Sequence, residues 1–285
     1  MIWAWSLLLI AGVFFLLNFA IRRGLAAPRI PEKGEPDGLP WRAVSMPGAN
    51  GKQLFAWFIP LARPAPALVV MHGWGGNAEM MLPLAAPLHA AGYALLLVDA
   101  RCHGRSESDS FASLPRFAED IEAALTWLSA QPEVVAQALG VIGHSVGAGA
   151  ALLAASRQSR IRAVVSLAAF AHPAAMMRRW LIASHIPYWP LGAYILAYVQ
   201  RVIGHRFDVI APRHTIAQLA CPVLIVHGQE DAMVPVSEAR EIFAARASDA
   251  VELLLVPGSH DDYGDVAQHL SAVRDFLDRS LRQQA

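Results

Sequence analysis

The pattern of apolar and polar positions divides the chain into three zones. Residues Ile2 to Ile21 read IWAWSLLLIAGVFFLLNFAI, with no charged side chain. About 20 such residues, rising about 1.5 Å each, cross a hydrocarbon core of roughly 30 Å. The pattern therefore predicts a membrane-spanning helix within residues 1–23, with Trp3 and Trp5 suited to one interface and Asn18 its clear polar blemish. Residues 24–40 are rich in Pro and Gly with mixed charge and predict a linker. From residue 41 onward, apolar runs alternate with amphipathic stretches.

Within that last zone AVSM and QLFAWFI predict an opening strand pair. ALVVMHG, YALLLVD, LGVIGH, AVVSLAAF, PVLIVHG and VELLLVPG follow. These six are almost continuously apolar, as strands covered on both faces are. Helical patterns at Pro115–Ser129, Val146–Arg157, Val236–Ala247 and Asp265–Leu281 separate some of them. Strand–helix–strand repetition predicts an α/β fold with a mainly parallel sheet and right-handed crossovers. One stretch breaks the rhythm. From Ala171 to Phe207 there is no acidic residue, while Met176, Met177, Trp180, Tyr188, Trp189, Tyr194 and Tyr198 accompany Arg178, Arg179, Arg201 and Arg206. It is too long for a turn and predicts a helical insertion over 171–207, a lid between two strands.

The sharpest chemical signal is Gly143-His144-Ser145-Val146-Gly147, which ends one apolar run and opens a helical one. A G-x-S-x-G elbow needs that strand–turn–helix setting, because it presents the serine hydroxyl at the strand's C-terminal end. A serine hydroxyl is a weak nucleophile and needs a base. His260, just past VELLLV, is the expected base, and Asp231, just past PVLIV, the expected acid that fixes its tautomer. Glu230 adjoins Asp231 but aims elsewhere, His227 follows no turn, and Asp261 and Asp262 follow His260 too closely to orient it. Oxyanion donors are expected at the backbone N–H groups of Trp74, in His72-Gly73-Trp74-Gly75-Gly76, and of Val146. Trp74, Trp180 and Trp189 are expected to contact substrate. The loop DARCHGRS, from Asp99 to Ser106, is expected to brace the site.

Taken together, HGWGG, DARCHGRS, GHSVGAG, HGQED and GSH resemble the α/β-hydrolase superfamily. They are most similar to the serine-hydrolase branch of monoacylglycerol lipases, esterases and serine aminopeptidases. The resemblance runs from about residue 67 to the end. It implies a mainly parallel eight-stranded sheet, a lid after the sixth strand and no cofactor. Trp74 departs from relatives that carry glycine there, which leaves the backbone donor intact and narrows the pocket. A serine at the elbow separates the chain from the dehalogenase and epoxide-hydrolase branches, which have Asp there.

Charge and cysteine content narrow the function further. Formal net charge is zero, with 23 basic and 23 acidic side chains, so no global field favours nucleic acid. Cys102 and Cys221 fit neither a disulfide framework nor a zinc site, and no metal is expected. A cleaved signal peptide would carry basic residues before its apolar core, whereas Arg22 and Arg23 follow it here. An uncleaved single-pass anchor is expected. With Arg29 and Lys33 on the same flank, the rule of positive residues inside predicts a cytoplasmic catalytic domain. The resulting expectation is a membrane-anchored hydrolase of small-molecule or lipid esters. A peptidase or amidase of the same fold and a silent membrane scaffold are the alternatives.

Overall fold

A computed structural model describes residues 2–261 and 264–282 of the 285. The chain opens with α1 (Ile2–Gly24). The antiparallel pair β1 (Arg42–Pro47) and β2 (Gln53–Ile59) follows, then β3 (Ala65–Met71). A 3-10 turn, Ala78–Leu84, leads into the short α2 (Ala85–Ala90) and then β4 (Ala94–Val98). Next come α3 (Leu114–Ser129), β5 (Val134–His144), α4 (Val146–Ala155) and β6 (Ile161–Leu167). The expected insertion holds α5 (Pro173–Ala183) and α6 (Ala193–Ile203), and it is followed by the single turns α7 (Phe207–Ile210) and α8 (Pro212–Thr215). The chain then runs through β7 (Val223–Gly228), α9 (Val236–Ala244), β8 (Val251–Val256) and α10 (Gly264–Leu281).

The eight strands form one sheet in the order β1-β2-β4-β3-β5-β6-β7-β8, antiparallel at β1–β2 and β2–β4 and parallel elsewhere. Both faces are covered, which is why the strands read as unbroken apolar runs. In β3, Ala67, Val69 and Met71 join the core beneath α3, α4 and α9, while Leu68 and Val70 join the core beneath α2 and α10. Successive residues alternate faces, so two apolar cores leave no position polar. Every parallel strand ends at the same sheet edge, and the loops there carry the chemistry. Both cysteines are free thiols, as expected.

The segment expected to be a linker is a docked strap. From Leu25 onward it has no helix or strand, but its polar groups reach far along the chain. Arg29 donates to the Ser106 carbonyl (2.7 Å) and to the Ser108 hydroxyl (3.0 Å). The Lys33 and Gly34 amides donate to Glu79 (2.8 and 2.9 Å), and Asn77 donates to the Ile30 carbonyl (2.9 Å). The Glu32 carboxylate accepts from Arg105 (3.1 Å), and its second oxygen faces Asp99. Proline and glycine suppress regular structure here, yet the backbone groups find partners in the loops that surround the sheet edge.

Glu32 and Asp99 form a carboxyl pair inside the fold. Burial, with the Glu32 carboxyl beside it, pushes Asp99 up to about 8, whereas a carboxyl in an unfolded chain titrates near 4. The folded chain therefore keeps a proton that the unfolded chain has released. That stabilisation is complete below about pH 4 and is lost as pH rises through about 8. We expect the Tm to fall as pH is raised from 5 to 9 and Asp99→Asn to flatten the fall. An unchanged slope in the variant would show that the pair holds no proton.

Candidate active site

Ser145 sits between the last residue of β5 and the first of α4, with φ 53° and ψ −114°. That backbone is strained for a residue with a side chain, and the neighbouring glycines make it possible. A Cβ on Gly143 would lie 2.2 Å from the Gly147 carbonyl oxygen. One on Gly147 would lie 2.4 Å from the His72 carbonyl oxygen. The Ser145 amide donates to the Leu167 carbonyl (2.8 Å), which pins the turn to β6.

The sheet edge brings three separated side chains into one chain of hydrogen bonds. Ser145 Oγ lies 3.0 Å from His260 Nε2, and His260 Nδ1 lies 2.7 Å from Asp231 Oδ2. All three are buried, with Ser145 7% and His260 8% exposed. The other Asp231 oxygen accepts from the Met233 and Val234 amides (2.9 and 2.7 Å). Burial opposes ionisation of Asp231. Hydrogen bonds from His227, His260 and the Val234 amide prevail and hold its carboxyl well below the usual range. An ionised Asp231 takes the His260 Nδ1–H and leaves Nε2 as an acceptor toward the serine hydroxyl.

The rival residues have other partners. Glu230 accepts from the Gly258 amide while its own amide donates to the Gly258 carbonyl (3.1 Å), so it ties the β8 loop in place. Asp261 is exposed and Asp262 lies outside the described residues. His227, set aside on sequence grounds, lies against the acid, with Nε2 3.3 Å from Asp231 Oδ2 and 2.8 Å from the Val234 carbonyl.

Three further buried histidines shape the site. His144 Nε2 donates to the His260 carbonyl (3.0 Å), and burial followed by the neighbouring His260 pushes the His144 ring down to about 3. His72 Nε2 accepts from the Ala100 amide (3.0 Å), and its Nδ1 donates to the Gly73 carbonyl (2.6 Å). His103 Nε2 accepts from the Gly75 amide (3.1 Å), and its Nδ1 donates to the Arg101 carbonyl (2.9 Å). Burial, with His103 beside it, lowers His72 to about 3, and burial lowers His103 to about 4. Both rings stay neutral, the only form that can accept from an amide. They hold the 72–76 loop against the elbow, where a Cβ on Gly73 would lie 3.1 Å from the Ser145 Cβ. Among the described residues, neither the Trp74 nor the Val146 amide donates a hydrogen bond.

Trp180 and Trp189 are 54% and 77% exposed on the insertion, and among the described residues neither ring touches His260 or Trp74. His144, His260 and Asp261 present metal-type donor atoms within 4.8 Å of one another. The His260 nitrogens and His144 Nε2 are already engaged as described.

Comparison with known proteins agrees with the fold. The family described as serine aminopeptidase, S33, matches residues 62–203, a span that holds Trp74 and Ser145 but neither Asp231 nor His260. An uncharacterised protein of Mycobacterium tuberculosis is 29% identical over 248 residues, 83% of this chain and 79% of that protein. An esterase of Pyrococcus furiosus superposes with a TM-score of 0.74 at 22% identity, over 90% of this chain and 97% of that one. Est1E of Butyrivibrio proteoclasticus, solved with ferulic acid bound, gives 0.66 at 21% identity, over 83% and 99%. At such identities the two structures speak to fold alone. An elbow serine at the edge of a mainly parallel eight-stranded sheet, in a span that matches a hydrolase family, identifies the chain as a hydrolase of the α/β-hydrolase superfamily.

Proposed function

We propose that the protein is a membrane-anchored serine hydrolase that cleaves carboxylic esters, with acyl lipids as its substrate class. The hydrogen-bonded series Ser145–His260–Asp231 carries the reading. Ser145 Oγ attacks the ester carbonyl as His260 Nε2 takes its proton. Asp231 stabilises the resulting imidazolium, and the Trp74 and Val146 amides receive the oxyanion. His260 then returns the proton to the leaving alkoxide, which leaves an acyl-Ser145. Water attacks that acyl group by the same route, releases the acid and restores the serine hydroxyl.

The anchor is α1, in which Trp5–Gly24 has a mean hydropathy of 1.9 and none of that span is buried. The proposed organisation is an anchor over 1–23, the strap over 24–40 and a cytoplasmic hydrolase domain over 41–285, with 171–207 as its lid. Trp74, beside the elbow, lines the acyl entrance.

An aminopeptidase reading is favoured by the name of the matching family. A free peptide N-terminus calls for an acidic partner, and 171–207 has none. Glu238, which reaches the insertion, is already paired with Arg179 and the Ala171 amide. A panel of p-nitrophenyl esters from acetate to decanoate, run beside aminoacyl anilides, separates the two readings. Each buried methylene contributes about 0.8 kcal/mol, so kcat/KM should rise up to about fourfold per methylene until the pocket ends. An acetate optimum would remove the lipid substrate, and faster anilide cleavage would replace the esterase with a peptidase.

A further inference from the structure

Asn18 is a polar residue within the apolar helix, and its partner comes from the far side of the sequence. Tyr194 Oη donates to Asn18 Oδ1 (2.7 Å), and the Tyr194 ring meets the Phe14 ring edge-on at 5.9 Å. One turn further along both helices, Arg22 Nε donates to Tyr198 Oη (2.9 Å). The contacts advance by four residues on each helix, so α6 runs parallel to α1. Tyr194 is the second residue of α6, so the turn that precedes α6 adjoins the point where Phe14 and Asn18 meet the insertion.

The chemistry of those residues matches that position. From Trp180 to Gln200 there is no Asp, Glu, Lys or Arg. Trp180, Ile182, Tyr188 and Trp189 are exposed together, while Leu181, Ile195, Leu196 and Val199 face the core. Grouped exposed aromatic and aliphatic side chains mark a surface with an apolar partner. Backbone groups limit how far such a turn can enter lipid. Here Pro187 and Pro190 have no N–H, and the amides of Ser184, His185, Ile186 and Gly192 donate to carbonyls within the same turn.

We infer that the tip of the insertion, residues 182–192, enters the bilayer beside α1 and takes lipid acyl chains as its partner. The inference rests on α1 as a membrane span. At about 1.5 Å per residue, Asn18 and Phe14 lie roughly 6 and 12 Å along the axis from Arg22. With Arg22 and Arg23 at the headgroups, Tyr194 reaches that depth, and the tip adjoins it in sequence. Interfacial elements bury their apolar faces about 5–10 Å into the same layer. The Asn18–Tyr194 bond joins anchor to insertion and satisfies a side-chain amide that lipid could not.

The test uses the full chain in phosphatidylcholine–phosphatidylglycerol liposomes, with Cys102→Ala and Cys221→Ser as background. Single nitroxides are placed through Leu9→Cys, Trp189→Cys and Arg206→Cys. Relaxation by oxygen is then compared with relaxation by a water-soluble nickel chelate. Labels at 9 and 189 should both favour oxygen, and the label at 206 the chelate. A label at 9 in lipid with one at 189 in water overturns the inference and leaves the anchor standing. Labels at both 9 and 189 in water overturn the anchor, and the inference with it.

Discussion

Ser145→Ala is expected to lower turnover of a p-nitrophenyl ester on the order of 10⁴- to 10⁶-fold, the range that loss of a serine nucleophile produces. The substitution removes one oxygen, the atom 3.0 Å from His260 Nε2. It leaves the backbone of the elbow intact: the Ser145 amide still reaches the Leu167 carbonyl, and the Ser145 carbonyl still receives the Gly149 amide. Alanine shares serine's backbone preferences, so the φ of 53° is no harder to hold. The thermal unfolding curve should therefore be close to that of the parent while fluorophosphonate labelling disappears. Near-parental turnover by a folded variant would remove Ser145 from the reaction. Lost turnover with a collapsed Tm would mean only that the elbow had unfolded, so both measurements are needed on the same preparation.

The contrast between what the sequence disclosed and what it concealed has a physical cause. Six strands were legible because both faces of the sheet are covered, which forces runs such as Leu95–Leu96–Leu97. Ser145, Asp231 and His260 were legible as positions because each follows an apolar run, and parallel strands end at one edge. The early start of β5 was concealed because Val134–Ala138 is broken by Gln137 and lies half-exposed at the sheet margin. The turn and helix over 78–90 were concealed by Pro83 and Pro87, which read as loop. The strap was concealed for a different reason. Its order comes from Arg29, Glu32 and the Lys33 and Gly34 amides meeting residues 45–79 positions away, and no local pattern records that. His144 and His227 lay in plain sight beside the elbow and the acid loop. Their roles depend on which atom each ring nitrogen meets, and only the folded geometry supplies that.

That geometry makes the acid the most discriminating position to change. Asp231→Asn is expected to lower kcat on the order of 10⁴-fold, because a carboxamide cannot enforce the tautomer that leaves His260 Nε2 free to accept. Asp231 Oδ2 now receives His260 Nδ1–H at 2.7 Å, and Oδ1 receives two loop amides. The Asn oxygen can keep the loop amides, which leaves its NH₂ facing an N–H. The imidazole then turns to the other tautomer and aims a hydrogen at Ser145 Oγ. The carboxyl of Asp231 is held below its unfolded value, so its stabilising share is present above about pH 4 and is lost as pH falls further. The Asn variant should therefore unfold with less pH dependence at the acid end. Glu230→Gln serves as the control next door. Among the described residues its carboxylate accepts from the Gly258 amide alone, a bond that a carboxamide oxygen can also accept, so activity should fall less than tenfold. A large loss in Glu230→Gln with a small one in Asp231→Asn would transfer the acid's role to Glu230. That outcome would also require the loop from Gly228 to Val234 to adopt another path, since Glu230 now braces the β8 loop at Gly258 while Asp231 meets the imidazole. A crystal structure of the Asn variant would decide between a turned imidazole and a rebuilt loop.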